Sequence, residues 1–338
     1  MRRCLELAQK GLGMTYPNPM VGCVIVYNGQ IIGEGWHHKA GEAHAEVNAI
    51  QSVQDKSLLQ ESTLYVNLEP CNHHGRTPPC ATRIIKEKIP KVVVGCLDPF
   101  KKVDGQGIDA LKTSGVTVTT GILEEEAKQL NSRFLTYHLQ KRPYIILKWA
   151  ESADGYLAPL QKNRNRRAPV YLTKRPEQVL VHQWRSQEQA ILVGAQTVID
   201  DNPSLTTRWI KGKNPLRVVI DPNGRLGATE NVFDGQADHL HLTHKSLGTT
   251  KSDSPTTILM SVLSTLYAHE IGSVLVEGGK KTLQSFIDSE LWDEARIFSA
   301  PVYLREGIAA PKLVGTAIPS PRPHLQLIQR SKKQFETP

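Results

Sequence analysis

The sequence predicts two α/β domains in series, and three observations carry that expectation. Apolar strand-type runs alternate with helical periods along most of the chain. The triplet Lys141-Arg142-Pro143 breaks the alternation into two series that do not echo each other. The length, 338 residues, suits two domains at about 150 residues each. With 39% hydrophobic and 22% charged residues, the chain can bury cores without disulfides and is neither disordered nor fibrous.

Residues 2–12 read as a helix ended by Gly11 and Gly13. Residues 20–27 and 31–37 are apolar and joined by Asn28-Gly29, the strongest short hairpin signal. A helix is expected over 44–53, a buried strand over 63–68, a helix with proline at its start over 79–88 and a strand over 91–96. Residues 107–113, 116–119 and 123–139 continue as helix, strand and helix. The resulting αββαβαβαβα order predicts a three-layer domain over 1–141 and a second domain over 142–338. In the second, strands are expected at 144–150, 190–194, 216–221 and 273–277, with helices at 177–186 and 282–289. Residues 159–167 and 234–254 read as polar loops, the latter with a short apolar strand near 239–242.

Composition narrows the function. Forty-one basic residues against 33 acidic ones give a net charge of +8, which suits a phosphorylated small molecule as well as plain solubility. The basic residues are dispersed apart from 162–167, with no basic stripe interleaved with aromatics, so no nucleic-acid partner is expected. No apolar run approaches the roughly 20 residues of a bilayer span, and the start lacks the apolar core of a signal peptide. A cytoplasmic protein without a membrane partner is expected, with a homo-oligomer left open. Of the five cysteines, Cys4, Cys23 and Cys96 sit in apolar runs as small buried residues, and the odd count argues against a disulfide framework.

Cys71 and Cys80 have other neighbours. His44-Ala45-Glu46 is followed by Pro70-Cys71 and then Pro79-Cys80, one nitrogen and two sulfur ligands. Three such ligands make a catalytic zinc set with a fourth position left for water. Each ligand group is expected at a helix start, where the partial positive charge would favour thiolate at Cys80. Glu46 lies two residues from His44, about 200° around a helix, so it suits a second role rather than ligation. In zinc deaminases that role is proton shuttle between the attacking water and the leaving amine. His73 or His74 could instead complete a purely structural zinc, which would leave Glu46 unexplained.

Eight residues separate Cys71 from Cys80, where zinc deaminases more often have two. The string from Pro70-Cys71-Asn72-His73-His74 to Arg76-Thr77-Pro78-Pro79-Cys80 resembles the riboflavin-pathway pyrimidine deaminases, as does Asn18-Pro19-Met20-Val21-Gly22. The resemblance covers nearly the whole chain, because the bacterial bifunctional family carries a reductase behind its deaminase. It implies a cytidine-deaminase-like three-layer domain followed by a dihydrofolate-reductase-like α/β domain. It also implies deamination of 2,5-diamino-6-ribosylamino-4(3H)-pyrimidinone 5′-phosphate, with Asn18, His37, His73, Arg76 and Asp98 holding the substrate. Two departures stand out. Phe100-Lys101 replaces a polar Asn-Pro, and the first helix motif begins at once, without the few residues that usually lead it.

In the second domain, Ala150-Glu151-Ser152-Ala153-Asp154-Gly155 resembles the opening of the riboflavin reductases. Trp184-Arg185, Thr197 to Arg208, Leu216 to Asp221 and Val276-Glu277-Gly278-Gly279 follow at family-like spacing. Gly278 and Gly279 end a strand and open a helix, letting backbone N–H groups meet a phosphate, and no Rossmann glycine fingerprint is present. The resemblance implies that NADPH is held by Ala150, Tyr171, Thr197 and Asp201 with Gly279, Lys280, Lys281, Thr282, Leu283, Gln284 and Ser285. It places Arg185, Leu205, Arg208 and Glu277 against the phosphorylated ribosylaminouracil. Arg167 to Thr173 departs from the family's Gly-x-Ser-x-Trp-Ile-Thr, with Tyr171 in place of the tryptophan. Two readings compete with this one: a nucleoside or tRNA deaminase with an unrelated second domain, and a non-catalytic zinc protein.

Overall fold

The first sheet begins where the hairpin signal stands. Strand β1 (Gly22–Tyr27) turns back as β2 (Gln30–Trp36) through Asn28 and Gly29, whose φ angles are 48° and 77°. Two successive left-handed residues are what a two-residue type I′ turn requires. The computed structural model describes residues 1–72, 78–98, 105–160, 167–320 and 322–331. The chain divides into two units, Met1–Lys141 and Arg142–Pro338.

In the first unit, α1 (Arg2–Gln9), α2 (Ala45–Ser52), α3 (Cys80–Lys86), α4 (Gln106–Thr113), α5 (Glu124–Leu130) and α6 (Ser132–Gln140) accompany β3 (Thr63–Leu68), β4 (Lys91–Cys96) and β5 (Thr117–Thr119). The sheet order is β2-β1-β3-β4-β5; β1 is antiparallel to both neighbours, and β3, β4 and β5 are parallel. Alternation along β1 feeds both faces. Cys23 and Ile25 pack with Ala45, Ala49 and Ile50 of α2, Ala81 and Ile84 of α3 and Leu111 of α4, whereas Val24 packs with Cys4 and Leu7 of α1. Gly35 lets α2 lie against β2, since a Cβ there would sit 2.3 Å from the Ala49 nitrogen.

One expectation fails here. Residues 123–139 are not one helix: they break at Asn131 (φ −95°, ψ 19°) into α5 and α6. The Asn131 amide accepts from the Met20 N–H (2.8 Å) and donates to the Met20 carbonyl (3.0 Å). A buried asparagine that must reach another segment's backbone does so at the cost of helix continuity. The first helix also ends at Gln9 rather than at 12.

The second unit is built on eight strands in the order β10-β9-β8-β11-β6-β12-β15-β14. These are β6 (Tyr144–Ser152), β8 (Ala190–Gly194), β9 (Leu216–Ile220), β10 (His239–Leu242), β11 (Ser273–Val276), β12 (Glu294–Ala300), β14 (Thr316–Ile318) and β15 (Leu325–Gln329). A separate pair joins β7 (Tyr156–Ala158) to β13 (Ile308–Ala309). The strands from β10 to β12 are parallel, and β15 runs antiparallel to both its neighbours.

Helices cover both faces: α7 (Arg175–Gln187), α8 (Ala195–Asp201), α9 (His244–Leu247), α10 (Pro255–Ala268) and α11 (Lys280–Asp288). Ile145, Leu147, Val274 and Val276 pack under α10 and α11, whereas Ile146 and Leu275 pack against Val181 and Trp184 of α7. The stretch 234–254 is therefore not only loop. Besides β10 it contains α9, closed by a reciprocal cap between Thr243 and Ser246, with Leu247 tucked into the core. The predicted loop 159–167 falls largely on 161–166, outside the described residues. Among the described residues, no helix is long and apolar enough to cross a membrane.

Candidate active sites

In the first unit, two helix starts converge on one point. His44 caps α2, and Cys80 is the first residue of α3, while Cys71 stands on the loop after β3 rather than at a helix start. His44 Nδ1 lies 3.5 Å from Cys71 Sγ and 3.3 Å from Cys80 Sγ. These three ligand atoms lie within 4.8 Å of one another. A tetrahedral zinc with ordinary Zn–N and Zn–S bonds puts its nitrogen and sulfur ligands about 3.6 Å apart, so the donor set fits that ion.

The helix start acts on the other cysteine from the one expected. The Cys80 N–H donates to Cys71 Sγ at 3.4 Å. Cys71 is accordingly held below the ordinary thiol range, first by the Cys80 thiol and then by His44, against its burial. Cys80 is pushed up, by the neighbouring sulfur and by burial. A bound divalent ion holds both as thiolates.

Glu46, in the first turn of α2, is 3% exposed, and its Oε2 is buried without a hydrogen-bond partner among the described residues. Burial, then the charge of Cys71, raises its pKa. An orphaned carboxylate oxygen beside three metal-type ligands is an unmet demand for a proton or a donor.

Of the predicted substrate set, Asn18 and His37 meet. His37 Nδ1–H donates to the Ala43 carbonyl (3.1 Å), which leaves Nε2 to accept from Asn18 Nδ2 (3.0 Å). Burial lowers the His37 pKa, so the neutral ring is favoured. Asp98 is buried two residues after β4, and its N–H donates to Glu69 (3.3 Å). His73 and Arg76 lie outside the described residues, as do His74 and Phe100. Sequence reasoning missed Glu69, whose carboxylate also accepts N–H groups from Gly105, Gly107 and Ile108.

The second unit holds a cavity of about 330 Å³. Ala150, Tyr171, Thr197, Asp201, Gly279, Lys280, Arg185, Leu205, Arg208 and Glu277 line it; Lys281, Thr282, Leu283, Gln284 and Ser285 are not among the lining residues. Gly279 caps α11, and its N–H donates to Thr197 Oγ1 at 2.9 Å. Thr282 packs where Gly194 and Gly278 leave room, since a Cβ on them would come within 2.5 and 2.8 Å of its side chain. Leu283 is fully buried in the core and donates its N–H to the Gly279 carbonyl. Gln284 holds the Lys312 N–H, and Ser285 donates to the Lys281 carbonyl. The glycine cradle and the cationic start of α11 beside the cavity suit a phosphorylated dinucleotide.

Arg185 and Glu277 form a bidentate pair at 2.8 and 3.0 Å, and Lys148 adds a contact to Glu277 at 3.2 Å. Burial pushes Glu277 up, but Arg185 and Lys148 outweigh it and hold the carboxyl at about 2. The Arg185 fork is thus spent on Glu277 in this structure, and Arg208, exposed on the cavity wall, donates from Nη1 to the Thr206 hydroxyl at 3.2 Å. Lys148 was not singled out from the sequence, although a lysine inside an otherwise apolar strand is a signal.

Both units match known families. The RibD C-terminal domain family matches residues 143–333, and the cytidine and deoxycytidylate deaminase zinc-binding region matches residues 1–96. Riboflavin biosynthesis protein RibD from Aquifex aeolicus is 39% identical over 320 residues, covering 91% of this chain and 88% of that protein. RibD from Bacillus amyloliquefaciens is 39% identical over 347 residues, covering 97% and 91%. A solved structure from Thermotoga maritima, a diaminohydroxyphosphoribosylaminopyrimidine deaminase/5-amino-6-(5-phosphoribosylamino)uracil reductase, superposes with a TM-score of 0.83. It shares 36% identity and covers 97% of this chain and 96% of its own. Acinetobacter baumannii RibD gives a TM-score of 0.83 at 33% identity, with 97% of each chain covered. With a zinc-type donor set in one unit, a phosphate-type cradle in the other and relatives matched along almost their full length, the chain belongs to the RibD family of bifunctional riboflavin biosynthesis enzymes, a zinc-dependent deaminase followed by an NADPH-dependent reductase.

Proposed function

We propose that residues 1–141 deaminate 2,5-diamino-6-ribosylamino-4(3H)-pyrimidinone 5′-phosphate and that residues 142–338 reduce the resulting 5-amino-6-(5-phosphoribosylamino)uracil to its ribityl product. The observation that carries this reading is the orphaned Oε2 of Glu46 beside the His44, Cys71 and Cys80 donor set. A purely structural metal site has no use for it. Zinc, when bound, supplies Lewis acidity that makes water a nucleophile near neutral pH, and NADPH supplies the hydride.

The chain's own residues do the rest. Glu46 Oε2 takes a proton from the attacking water and hands it to departing ammonia. Its burial raises the pKa above the ordinary carboxylate value, which favours taking up a proton. Asn18, its amide fixed by His37, is assigned to the pyrimidine ring with Asp98, and the phosphoribosyl group to His73 and Arg76. In the reductase, Arg208 binds the substrate phosphate, while Arg185 and Lys148 hold the Glu277 carboxylate charged and oriented within the cavity. Leu205 supplies an apolar wall; Tyr171, Thr197, Asp201 and the start of α11 receive the cofactor. Five free cysteines and a dependence on NADPH fit a reducing cytoplasmic setting, and the reading requires neither nucleic acid nor membrane.

The test is a coupled assay on the diaminopyrimidine phosphate with zinc and NADPH. One ammonia released and one NADPH oxidised per substrate is the expected result. Turnover of cytidine or a tRNA stem-loop in place of that substrate would overturn the assignment.

A further inference from the structure

The segment that carries Arg208 is held in an unfavourable shape. Leu205 has φ 54°, a left-handed conformation costly for leucine, and Asn202 has φ 42°. Leu205 offsets that cost by burying its side chain with Ile191, Val193, Val198 and Val219. Beyond Leu205 the chain is tied to α7 by two residues one turn apart. Arg185 Nη1 donates to the Thr206 carbonyl at 3.3 Å. His182 Nδ1 accepts the Arg208 N–H at 3.0 Å. The His182 ring, 4% exposed, also lies 4.7 Å from the Trp209 ring, whose centroid is 3.5 Å from the Arg175 guanidinium carbon.

We propose that His182 is the positioning residue for Arg208: its Nδ1, by accepting the Arg208 N–H, sets where that guanidinium stands on the cavity wall and so governs capture of the phosphorylated reductase substrate. The inference rests on the reading of Arg208 as the phosphate-binding arginine. Nδ1 can accept only while the ring is unprotonated. Burial, and then the charges of Arg185 and Arg208, hold His182 down at about 4, so the acceptor persists through the neutral range. The neutral ring then carries its proton on Nε2. Two unequal nitrogens make the role separable by substitution. Asparagine places an acceptor where Nδ1 stands, glutamine places one where Nε2 stands, and leucine removes both.

The experiment is a steady-state comparison on 5-amino-6-(5-phosphoribosylamino)uracil with His182→Leu, His182→Asn, His182→Gln, Arg208→Ala and the double variant His182→Leu/Arg208→Ala. His182→Leu raises KM about 5- to 30-fold with kcat little changed, from one lost hydrogen bond and one N–H left without a partner. His182→Asn recovers most of the loss, and His182→Gln does not. The double variant is no worse than Arg208→Ala alone, because His182 acts through Arg208. The circular dichroism spectrum and the denaturation midpoint report that each variant is folded. If His182→Leu does not fold, the contrast between Asn and Gln decides. Effects that multiply in the double variant, or equal behaviour of Asn and Gln, overturn the proposal. If Arg208→Ala raises KM while His182→Leu does not, only this proposal falls. An unchanged KM in Arg208→Ala removes the reading beneath it as well.

Discussion

The Glu69 carboxylate accepts the Gly107 N–H at 3.0 Å, tying the end of β3 to the first turn of α4. The same side chain takes the N–H groups of Ile108 (3.4 Å), Gly105 (3.1 Å) and Asp98 (3.3 Å). Four backbone donors therefore end on one buried residue placed two positions before Cys71, a candidate metal ligand. Gly107 is required by the same approach, since a Cβ there would fall 1.9 Å from the Pro70 oxygen.

Glu69→Gln replaces one acceptor oxygen with an NH₂ group that points at N–H donors. Two of the four bonds turn repulsive, and the remaining ones lose charge assistance. Destabilisation of about 3 kcal/mol is expected, read as a lower denaturation midpoint with an unchanged denaturant slope. A variant as stable as the parent would show that this carboxylate does not organise the loop.

The purified chain is expected to carry about one zinc, as an open three-ligand site implies. Cys71→Ala should lose the metal and deamination together, since two ligands no longer define a site. Glu46→Gln should keep the zinc, because the amide preserves shape and Glu46 is not a ligand, while deamination falls about 10²- to 10⁴-fold. Elemental analysis beside an ammonia assay separates these outcomes. Loss of zinc in Glu46→Gln would make Glu46 a ligand instead of a proton carrier.

Glu277 gives the reductase a distinct acid response. Its carboxyl lies at about 2 in the folded chain against an ordinary 4.5. A depressed pKa contributes stability that is complete above about 4.5 and is lost as pH falls toward 2, on the order of 3 kcal/mol in full. Glu277→Gln resembles the protonated parent at every pH. The stability gap between parent and variant should therefore be widest near pH 6 and close steadily below pH 4.5. Parallel stability curves for the two proteins across that range would sink the prediction.

What the sequence made legible, and what it hid, divides along the range of the interactions. The candidate metal donor set is a short-range signal, because His-x-Glu and the two Pro-Cys pairs fall at element ends that hydrophobic periodicity locates. The Asn28-Gly29 turn is local in the same sense. Asn131 is the opposite case: its helix-breaking partner is Met20, 111 positions away. The work of Glu69 is equally hidden, since backbone N–H groups carry no residue identity. Arg185 reads from sequence as a phosphate clamp, and only the parallel pairing of β8 with β11 brings Glu277 to the bonded distance beside α7. The helix α9 is short and polar, so its Thr243 and Ser246 cap resembles a turn until the structure shows Leu247 buried.

The last prediction concerns independence of the two activities. His44, Glu46, Cys71 and Cys80 all belong to Met1–Lys141, whereas the cavity, the Gly279 cap and Arg208 belong to Arg142–Pro338. Each unit thus draws its donor set and its charged side chains from its own residues. Glu46→Gln should cut ammonia release by the same factor of about 10²- to 10⁴-fold yet leave NADPH oxidation intact when the deaminated intermediate is supplied directly. Arg208→Ala should do the converse. A phosphate contact made equally in ground and transition states raises KM rather than lowering kcat. Because a charge-assisted contact is worth about 1.5–3 kcal/mol, the rise should be roughly 10- to 150-fold. Ammonia release by Arg208→Ala should match the parent. If Glu46→Gln silenced reduction of the supplied intermediate while its fold and zinc content stayed intact, the two activities would share a component, and the assignment of each site to one unit would have to be redrawn.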